Sequence, residues 1–114
     1  MKIPASLGII VPKICPQILY FQDMKEYPNL ALAIGQVIEI LRQNRKMTKS
    51  SLAEFSWLER RYLREIELGI KKPTVNAIYS ICEALNESPI DFFIKVEKER
   101  KKLEEEQSLN IYKV

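Results

Sequence analysis

The apolar residues that follow Leu30 recur at the spacing of one helix face. Before that point the pattern is different, because four prolines interrupt residues 1–29 and leave only two short apolar runs. Proline at this spacing excludes a long helix and favours extended segments. From residue 30 the positions i, i+3, i+4 and i+7 are Ile34, Val37, Ile38 and Leu41. This pattern predicts an amphipathic helix of about 14 residues that ends near Asn44.

Two short helices separated by a break are predicted next. Thr48 is a suitable N-cap for a helix that reaches about Phe55. A break at residues 56–58 precedes a third helix, which runs to Leu68. Gly69 can adopt the left-handed conformation that ends a helix. The sequence therefore predicts a helix, a tight turn and a second helix in this segment.

A fourth helix is predicted after Pro73, with Thr74 as its N-cap. Its apolar face contains Val75, Ile78, Cys82 and Leu85. Asn86 can close this helix because asparagine tolerates the left-handed conformation.

The letters SPID predict the start of a fifth helix. Ser88 would be the cap, Pro89 the first helical residue, and Asp91 would complete a capping-box-like spacing. Opposite charges at i, i+4 favour continuation of the helix through KVEKERKKLEEEQ. Only Val96 and Leu103 are apolar in that run, so we expect it to be solvated.

Together these elements predict an all-α fold of five short helices. We expect an extended N-terminal arm at residues 1–29, a helical domain at 30–94 and a charged C-terminal helical extension at 95–114. The arm has too short an apolar run for a signal peptide, and no segment approaches the roughly 18 apolar residues of a membrane span. We therefore expect a soluble, cytoplasmic protein.

The residue types present argue against an enzyme. The chain of 114 residues contains no histidine, and its two cysteines, Cys15 and Cys82, are far apart. This pattern excludes histidine-based acid–base chemistry and zinc sites of the usual ligand spacing. We expect no catalytic activity, no cofactor and no metal. Cys82 is on an apolar helix face and is interpreted as a small core residue, whereas Cys15 has no assigned role.

The charge of the chain is concentrated in one block. The formal net charge is +3, yet residues 42–72 contain nine basic and four acidic residues, a net charge of +5. The rest of the chain is balanced or slightly acidic. A single basic block indicates an anionic partner for that block.

The chain resembles a known family over residues 34–93. This segment is similar to the helix-turn-helix domain of Cro and phage repressors, also called the xenobiotic-response-element family. The matching motifs, all in register, are LR in the first helix, T and LA in the second, YL with IE and G in the third, and PT with AL in the fourth. The third helix is most similar to that of small controller proteins of restriction-modification systems and of phage or plasmid regulators; it reads LERRYLREIELG.

The resemblance implies both a fold and a function. The fold would be a five-helix, repressor-type helix-turn-helix bundle, with the DNA-binding domain at residues 30–94. The function would be that of a non-catalytic transcriptional regulator, such as a repressor. It would read the major groove of double-stranded DNA with the helix at about 59–68.

The third helix contains the residues that the resemblance implies for reading bases. These residues are Arg60, Arg61 and Glu65, with Arg64 as a contact to a base or a phosphate and Glu59 at the helix cap. An arginine can donate two hydrogen bonds to guanine, and a glutamate can accept one from cytosine. Glu65 could equally pair with Arg61 and hold it in place. Tyr62 is interpreted as a packing residue rather than a base reader.

Other residues are assigned to phosphate contacts or to structure by the same resemblance. The expected phosphate contacts are Thr48, Lys49, Lys71 and Lys72, which would set affinity without reading sequence. Arg42 and Glu67 match a family pair that links the first helix to the third, and we assign them to structure.

The fifth helix begins with more apolar residues than one small bundle needs. We expect a homodimer whose interface contains Ile90, Phe92, Phe93 and Val96. A dimer also suits a DNA site that consists of two half-sites, because proteins that read DNA with a helix commonly bind one half-site with each subunit.

A protein-interaction module on the same fold is the alternative function. It would resemble an antitoxin whose arm or charged C-terminal helix binds a protein partner such as a toxin, with DNA binding secondary. The segment itself does not separate the two functions, but the resemblance favours the regulator.

Trp57 departs from the family pattern. It stands at the second residue of the turn, where the family commonly has glycine with positive φ, and a bulky residue in that conformation costs about 1 to 2 kcal/mol. We therefore expect either an altered turn with negative φ or a tryptophan ring that packs over the bundle. Base stacking is disfavoured because the turn faces away from the groove that the third helix enters.

Overall fold

The structure is a computed structural model that describes residues 27–112. Five helices follow in order: α1 (Leu30–Asn44), α2 (Lys49–Phe55), α3 (Arg60–Glu67), α4 (Val75–Ala84) and α5 (Pro89–Tyr112). The described part of the chain contains no strand. The five predicted helices and the all-α class are thus confirmed. The predicted arm lies outside the described residues except for its last three, and so does Cys15.

The helices surround one apolar core. α1 packs along α5 and crosses α3, while α4 contacts α2 and α5. Each helix contributes fully buried side chains to this core, among them Ile38, Leu52, Leu63, Ile81 and Phe92. The result is a compact base that fixes the orientation of the short helix α3.

Threonine caps start two of the helices as predicted. The Oγ1 atom of Thr48 accepts a hydrogen bond from the backbone N–H of Ser51 at 3.0 Å. The Oγ1 atom of Thr74 accepts one from the N–H of Ala77 at 3.1 Å. Each bond satisfies a donor that a helix N-terminus leaves without an intrahelical partner.

The first four helices end in the same kind of turn. In each, one residue has a left-handed backbone, and the next residue donates its N–H to the carbonyl five positions earlier. The left-handed residues are Lys46 (φ 57°), Trp57 (φ 59°), Gly69 (φ 79°) and Asn86 (φ 55°). The helix ends predicted at Gly69 and Asn86 are confirmed. Only one of the four turns uses glycine.

The crossing of α1 and α3 depends on a helical glycine. A Cβ atom added to Gly35 would lie 2.4 Å from the carbonyl oxygen of Ile66 and 2.5 Å from that of Glu67. Both distances are far below van der Waals contact. The absence of a side chain on Gly35 therefore lets the backbones of α1 and α3 approach.

Two details of the predicted helix faces are wrong. Val75 was expected on the buried face of the fourth helix, but its side chain is 67% exposed because α4 begins at the surface. Phe92 and Val96 were expected at a dimer interface, but both are buried inside the protomer, at 0% and 2% exposure. They lie four residues apart on the face of α5 that packs into the core, so a partner subunit cannot reach them.

The C-terminal extension continues a helix that belongs to the domain. α5 crosses the expected boundary at residues 94 and 95 without a break. Leu103 packs against the core, and the side-chain amides of Gln107 and Asn29 bond to each other at 3.1 and 3.3 Å. The division of the chain at residues 94 and 95 into a domain and an extension stays a prediction. No helix within residues 27–112 is long and apolar enough to span a membrane.

Candidate nucleic-acid interface

α3 has one buried face and one charged face. Leu63 and Ile66 are completely buried, while Arg60, Arg61 and Arg64 are exposed. This division follows from the helical period, because residues three or four apart share a face. The core thereby holds the backbone of α3 in place and leaves its arginines free to bind a ligand.

Four cationic side chains line one concave surface, which we call the basic cleft. They come from the first turn of α2 and from the exposed face of α3: Lys49, Arg60, Arg61 and Arg64. Within residues 27–112, no acidic side chain pairs with Lys49, Arg60 or Arg64. The cleft therefore has an uncompensated positive charge that favours an anionic ligand.

Arg61 has an acidic neighbour on its own helix. Its Nε atom lies 3.5 Å from Oε2 of Glu65, and the side chains are 87% and 23% exposed, respectively. This contact involves the Nε atom of Arg61, and the side chain as a whole stays exposed. Glu65 thus forms the ion pair with Arg61 that was one of its two expected interactions.

Glu59 lies at the N-cap of α3. Its backbone is extended, with φ −66° and ψ 141°, but its side chain makes no capping hydrogen bond. The carboxylate is therefore free to accept a hydrogen bond from a ligand. Its charge also lies at the positive end of the helix dipole.

The remaining expected phosphate contacts lie at the two ends of the α2–α3 unit. Thr48 is exposed, and its hydroxyl also bonds to the Oγ atom of Ser51 at 3.1 Å. Lys71 and Lys72 are exposed in the loop after α3. The N–H of Lys71 donates to the carbonyl of Glu65 at 3.2 Å, which fixes the start of this loop against the helix.

Arg42 and Glu67 form an ion pair inside the protein. Arg42 Nε lies 2.9 Å from Glu67 Oε2, and a second hydrogen bond joins Nη2 to Oε1 at 3.3 Å. Nη1 donates to the carbonyl of Met47 at 2.9 Å. Both residues are buried. This network links α1, the loop before α2 and the end of α3, and neither side chain of the pair lines the basic cleft.

Trp57 adopts neither of the two arrangements expected from the sequence. Its φ is 59°, so the turn keeps the left-handed conformation, and its side chain is 94% exposed, so the ring does not cover the bundle. The physical reason is the helix-ending turn: Leu58 donates its N–H to the carbonyl of Ala53 at 3.0 Å, and the residue before Leu58 must be left-handed. The apolar side chain that packs against the core is that of Leu58.

A separate apolar surface lies on α4 and α5. Ile90 and Phe93, from the expected dimer interface, are 73% and 42% exposed. Two further residues that the sequence did not single out, Tyr79 and Ile94, line the same surface and are 56% and 49% exposed. Ile94 could have been found from its i+4 spacing to Ile90. We call these four residues the α4/α5 apolar surface.

Cys82 is a core residue. Its side chain is 1% exposed, and burial, with a smaller effect of Glu87, raises the pKa of its thiol to about 11. The thiol is therefore protonated at neutral pH and has little nucleophilic character. Within the described residues, no cluster of three or more potential metal ligands is present.

Comparison with known proteins assigns this fold to a family. The helix-turn-helix family model matches residues 38–93. Comparison with curated protein sequences finds no match.

Three solved regulators are similar to this chain over most of their own length. The clp gene regulator ClgR from Corynebacterium glutamicum has 28% identity and a TM-score of 0.71, over 76% of this chain and 93% of ClgR. A second structure of ClgR gives 32% identity and a TM-score of 0.60, over 63% of this chain and 94% of ClgR.

The other two similar regulators, C.AhdI and C.Esp1396I, are restriction-modification controller proteins. C.AhdI from Aeromonas hydrophila has 27% identity and a TM-score of 0.55, over 58% of this chain and 98% of C.AhdI. C.Esp1396I, solved as a tetramer in complex with its natural 35 base-pair operator, has 29% identity and a TM-score of 0.60, over 67% of this chain and 97% of that protein. The chain therefore belongs to the helix-turn-helix family of Cro and phage-repressor type, a family of DNA-binding transcriptional regulators.

Proposed function

We propose that this protein is a sequence-specific transcriptional regulator that inserts α3 into the major groove of double-stranded DNA. The observation that carries this proposal is the basic cleft, where four cations surround the exposed face of a helix whose other face is fixed in the core. An α-helix fits the major groove, and phosphates on either side would neutralise the cations.

The exposed residues divide into two kinds of contact. Arg60 and Arg61, near the N-terminus of α3, are suited to guanine edges, because each guanidinium can donate two parallel hydrogen bonds. Glu65 would orient Arg61 or accept a bond from cytosine, and Arg64 would contact a base or a phosphate. Lys49 and the loop lysines would hold the phosphate backbone and so set register and affinity.

We also propose that the protein is not an enzyme. The similar proteins are gene regulators, and the four cationic residues of the basic cleft form a surface that suits a nucleic acid. No part of this proposed mechanism needs a cofactor.

Arg60→Ala and Lys49→Ala are expected to weaken DNA binding in different ways. Arg60→Ala should lower the preference for the correct base pair by about fivefold to 150-fold, since a bidentate arginine contributes about 1 to 3 kcal/mol of discrimination. Lys49→Ala should weaken specific and random DNA alike and reduce the salt dependence of binding by about one counterion. Sites selected from random DNA with the purified protein provide the specific duplex, and titrations at several salt concentrations give both quantities.

The two variants serve as controls for each other. Both side chains are outside the core, so neither substitution should change the midpoint of unfolding appreciably. If Arg60→Ala weakened specific and random DNA equally, Arg60 would be a phosphate contact and not a base reader. If the wild-type protein selected no sequence from random DNA, the proposed function itself would be wrong.

We propose further that the regulator acts as a homodimer joined through the α4/α5 apolar surface. The four residues of this surface are 42% to 73% exposed in the protomer although all four have large, uncharged aliphatic or aromatic side chains. A two-fold dimer would cover them and would present two copies of α3 to half-sites about one helical turn apart. The similar controller C.Esp1396I is itself an oligomer on its operator.

Ile90→Glu is expected to convert the dimer to monomer. The substitution would bury a carboxylate without a partner in the interface, which should raise the dissociation constant at least a hundredfold. Leu109→Glu is the matched control, because Leu109 is 59% exposed on the same helix but away from the α4/α5 apolar surface. Light scattering of both variants and the wild type at micromolar concentration measures the effect. A wild type that is monomeric with and without DNA would contradict the dimer.

A further inference from the structure

Trp57 is the most exposed large apolar residue within residues 27–112, and no other residue in that range covers its ring. Its side chain is 94% exposed in a left-handed backbone conformation. Lys46 has the same backbone conformation, but its side chain is charged and suits the surface. A tryptophan in this place leaves a large apolar area in water, and such an area commonly marks a contact with another molecule.

The residues around Trp57 give this surface a definite chemistry. Phe55, at the end of α2, is 65% exposed. Glu54, also at the end of α2, is exposed and forms no ion pair in the described part of the chain. We call Glu54, Phe55 and Trp57 the turn patch. It combines two aromatic rings with a carboxylate inside an otherwise basic segment. The carboxylate of Glu54 would be repelled by DNA phosphates, so the partner is a protein surface that is basic and apolar.

This chain contains a surface of that chemistry on another side. A groove between α1 and α5 has Val37, Ile40 and Leu41 along it, and Ile40 is 48% exposed. We call it the α1/α5 groove. Because α1 and α5 run side by side, the groove is elongated and could receive an aromatic side chain.

Lysines from α5 line the same groove. They are Lys95, Lys98 and Lys102, with Glu99 as the one acidic residue among them. Lys95 already pairs with Glu87, whereas Lys98 and Lys102 form no ion pair in the described part of the chain. The groove therefore retains positive charge beside an apolar floor. It is separate from the α4/α5 apolar surface, whose residues lie on a different face of α5.

We propose that the turn patch of one copy docks into the α1/α5 groove of a second copy. Trp57 and Phe55 would cover the apolar floor, and Glu54 would lie near Lys98 and Lys102. The two surfaces differ, so the contact is head-to-tail and can join one dimer to the next rather than close a pair. The buried area is small, so the contact is weak in free solution.

The contact gains importance where copies are held close together. Two dimers on neighbouring sites of one DNA molecule have a high effective concentration for each other, and a weak contact then produces cooperative binding. This consequence rests on the proposed DNA-binding function, whereas the contact itself does not.

The test is made without DNA, so that it is independent of the proposed function. Sedimentation of the wild type at concentrations up to about 1 mM, the range of weak association, should show species larger than those formed by Trp57→Gly. The variant should lower the association constant at least about tenfold, because an interface tryptophan commonly dominates binding. Trp57→Gly is safe for folding, since glycine adopts the left-handed conformation without strain.

Mixing two variants tests the head-to-tail geometry. Trp57→Gly lacks the turn patch but keeps the groove, and Lys98→Glu with Lys102→Glu alters the groove but keeps the turn patch. Each protein alone should remain at the wild type's smallest assembly, while their mixture should associate further. The proposal is overturned if the wild type never exceeds its smallest assembly, if Trp57→Gly associates like the wild type, or if the mixture restores nothing. A protein that associates as described yet selects no DNA sequence would contradict only the proposed function.

Discussion

Gly35→Ala is expected to destabilise the domain by about 3 kcal/mol or more, close to the upper range for overpacked sites. The added Cβ would lie 2.4 and 2.5 Å from two carbonyl oxygens at the end of α3. Those atoms belong to the backbone and cannot rotate away as a side chain could. α1 and α3 would have to separate, and the separation would open the core at Leu63 and Ile66, which are completely buried.

The expected change in the free energy of unfolding has the opposite sign to the change that helix propensity alone predicts. Alanine is better than glycine in a helix interior by about 0.5 to 1 kcal/mol, so local preference alone would predict stabilisation. Urea denaturation followed by circular dichroism measures the free energy of unfolding. Gln43→Ala is a control for alanine on an exposed position of the same helix and should change the free energy of unfolding by less than about 0.5 kcal/mol. A Gly35→Ala protein as stable as the wild type would show that α1 and α3 do not cross this closely.

The helix boundaries could be predicted because their determinants are local. Thr48 and Thr74 each satisfy an amide three residues away, and Gly69 ends α3 through its own backbone conformation. None of these interactions depends on the rest of the fold. The short-range pattern of the sequence therefore contains the information that is needed to place them.

The inward face of α5 could not be predicted in the same way. The helix begins with apolar residues on more than one side, so the helical period does not select which of Ile90, Phe92 and Phe93 faces inward. The selection is made by packing against α1 and α4, which both contact α5, and α1 lies far away in sequence. Trp57 is a related case. Steric strain predicts that a large residue avoids positive φ, but the helix-ending turn at residues 53–58 keeps Trp57 in that conformation.

The candidate interface lies between these two cases. The charged face of α3 follows from its period and could be predicted from the sequence. The position of Lys49 beside three arginines depends on the angle between α2 and α3, which the resemblance implied and the sequence pattern did not. Likewise, Arg42 and Glu67 are far apart in the chain, and only the family pattern connected them before the structure did.

Arg42→Ala is expected to cost about 3 to 5 kcal/mol of stability, the range for removing one partner of a buried ion pair. Glu67 would keep its place near the end of α3 with its side chain 2% exposed and without its cation. The carbonyl of Met47 would also lose a donor. Because this network joins α1 to α3, partial unfolding would release α3, and DNA binding should fall together with stability.

A double substitution separates two effects: the loss of the Arg42–Glu67 ion pair, and the cost of leaving one buried charge without a partner. Arg42→Met combined with Glu67→Leu replaces both charged groups with apolar ones of similar length, and such replacements are often neutral or stabilising. The double variant should therefore be more stable than Arg42→Ala by at least about 2 kcal/mol in urea denaturation. Equal stability of these two proteins would mean that the ion pair is needed for its geometry, which a pair of apolar side chains cannot reproduce. Recovery of stability with sequence-specific DNA binding retained would instead show that α3 needs only a filled site beneath it, and that neither its position nor DNA recognition requires the two charges.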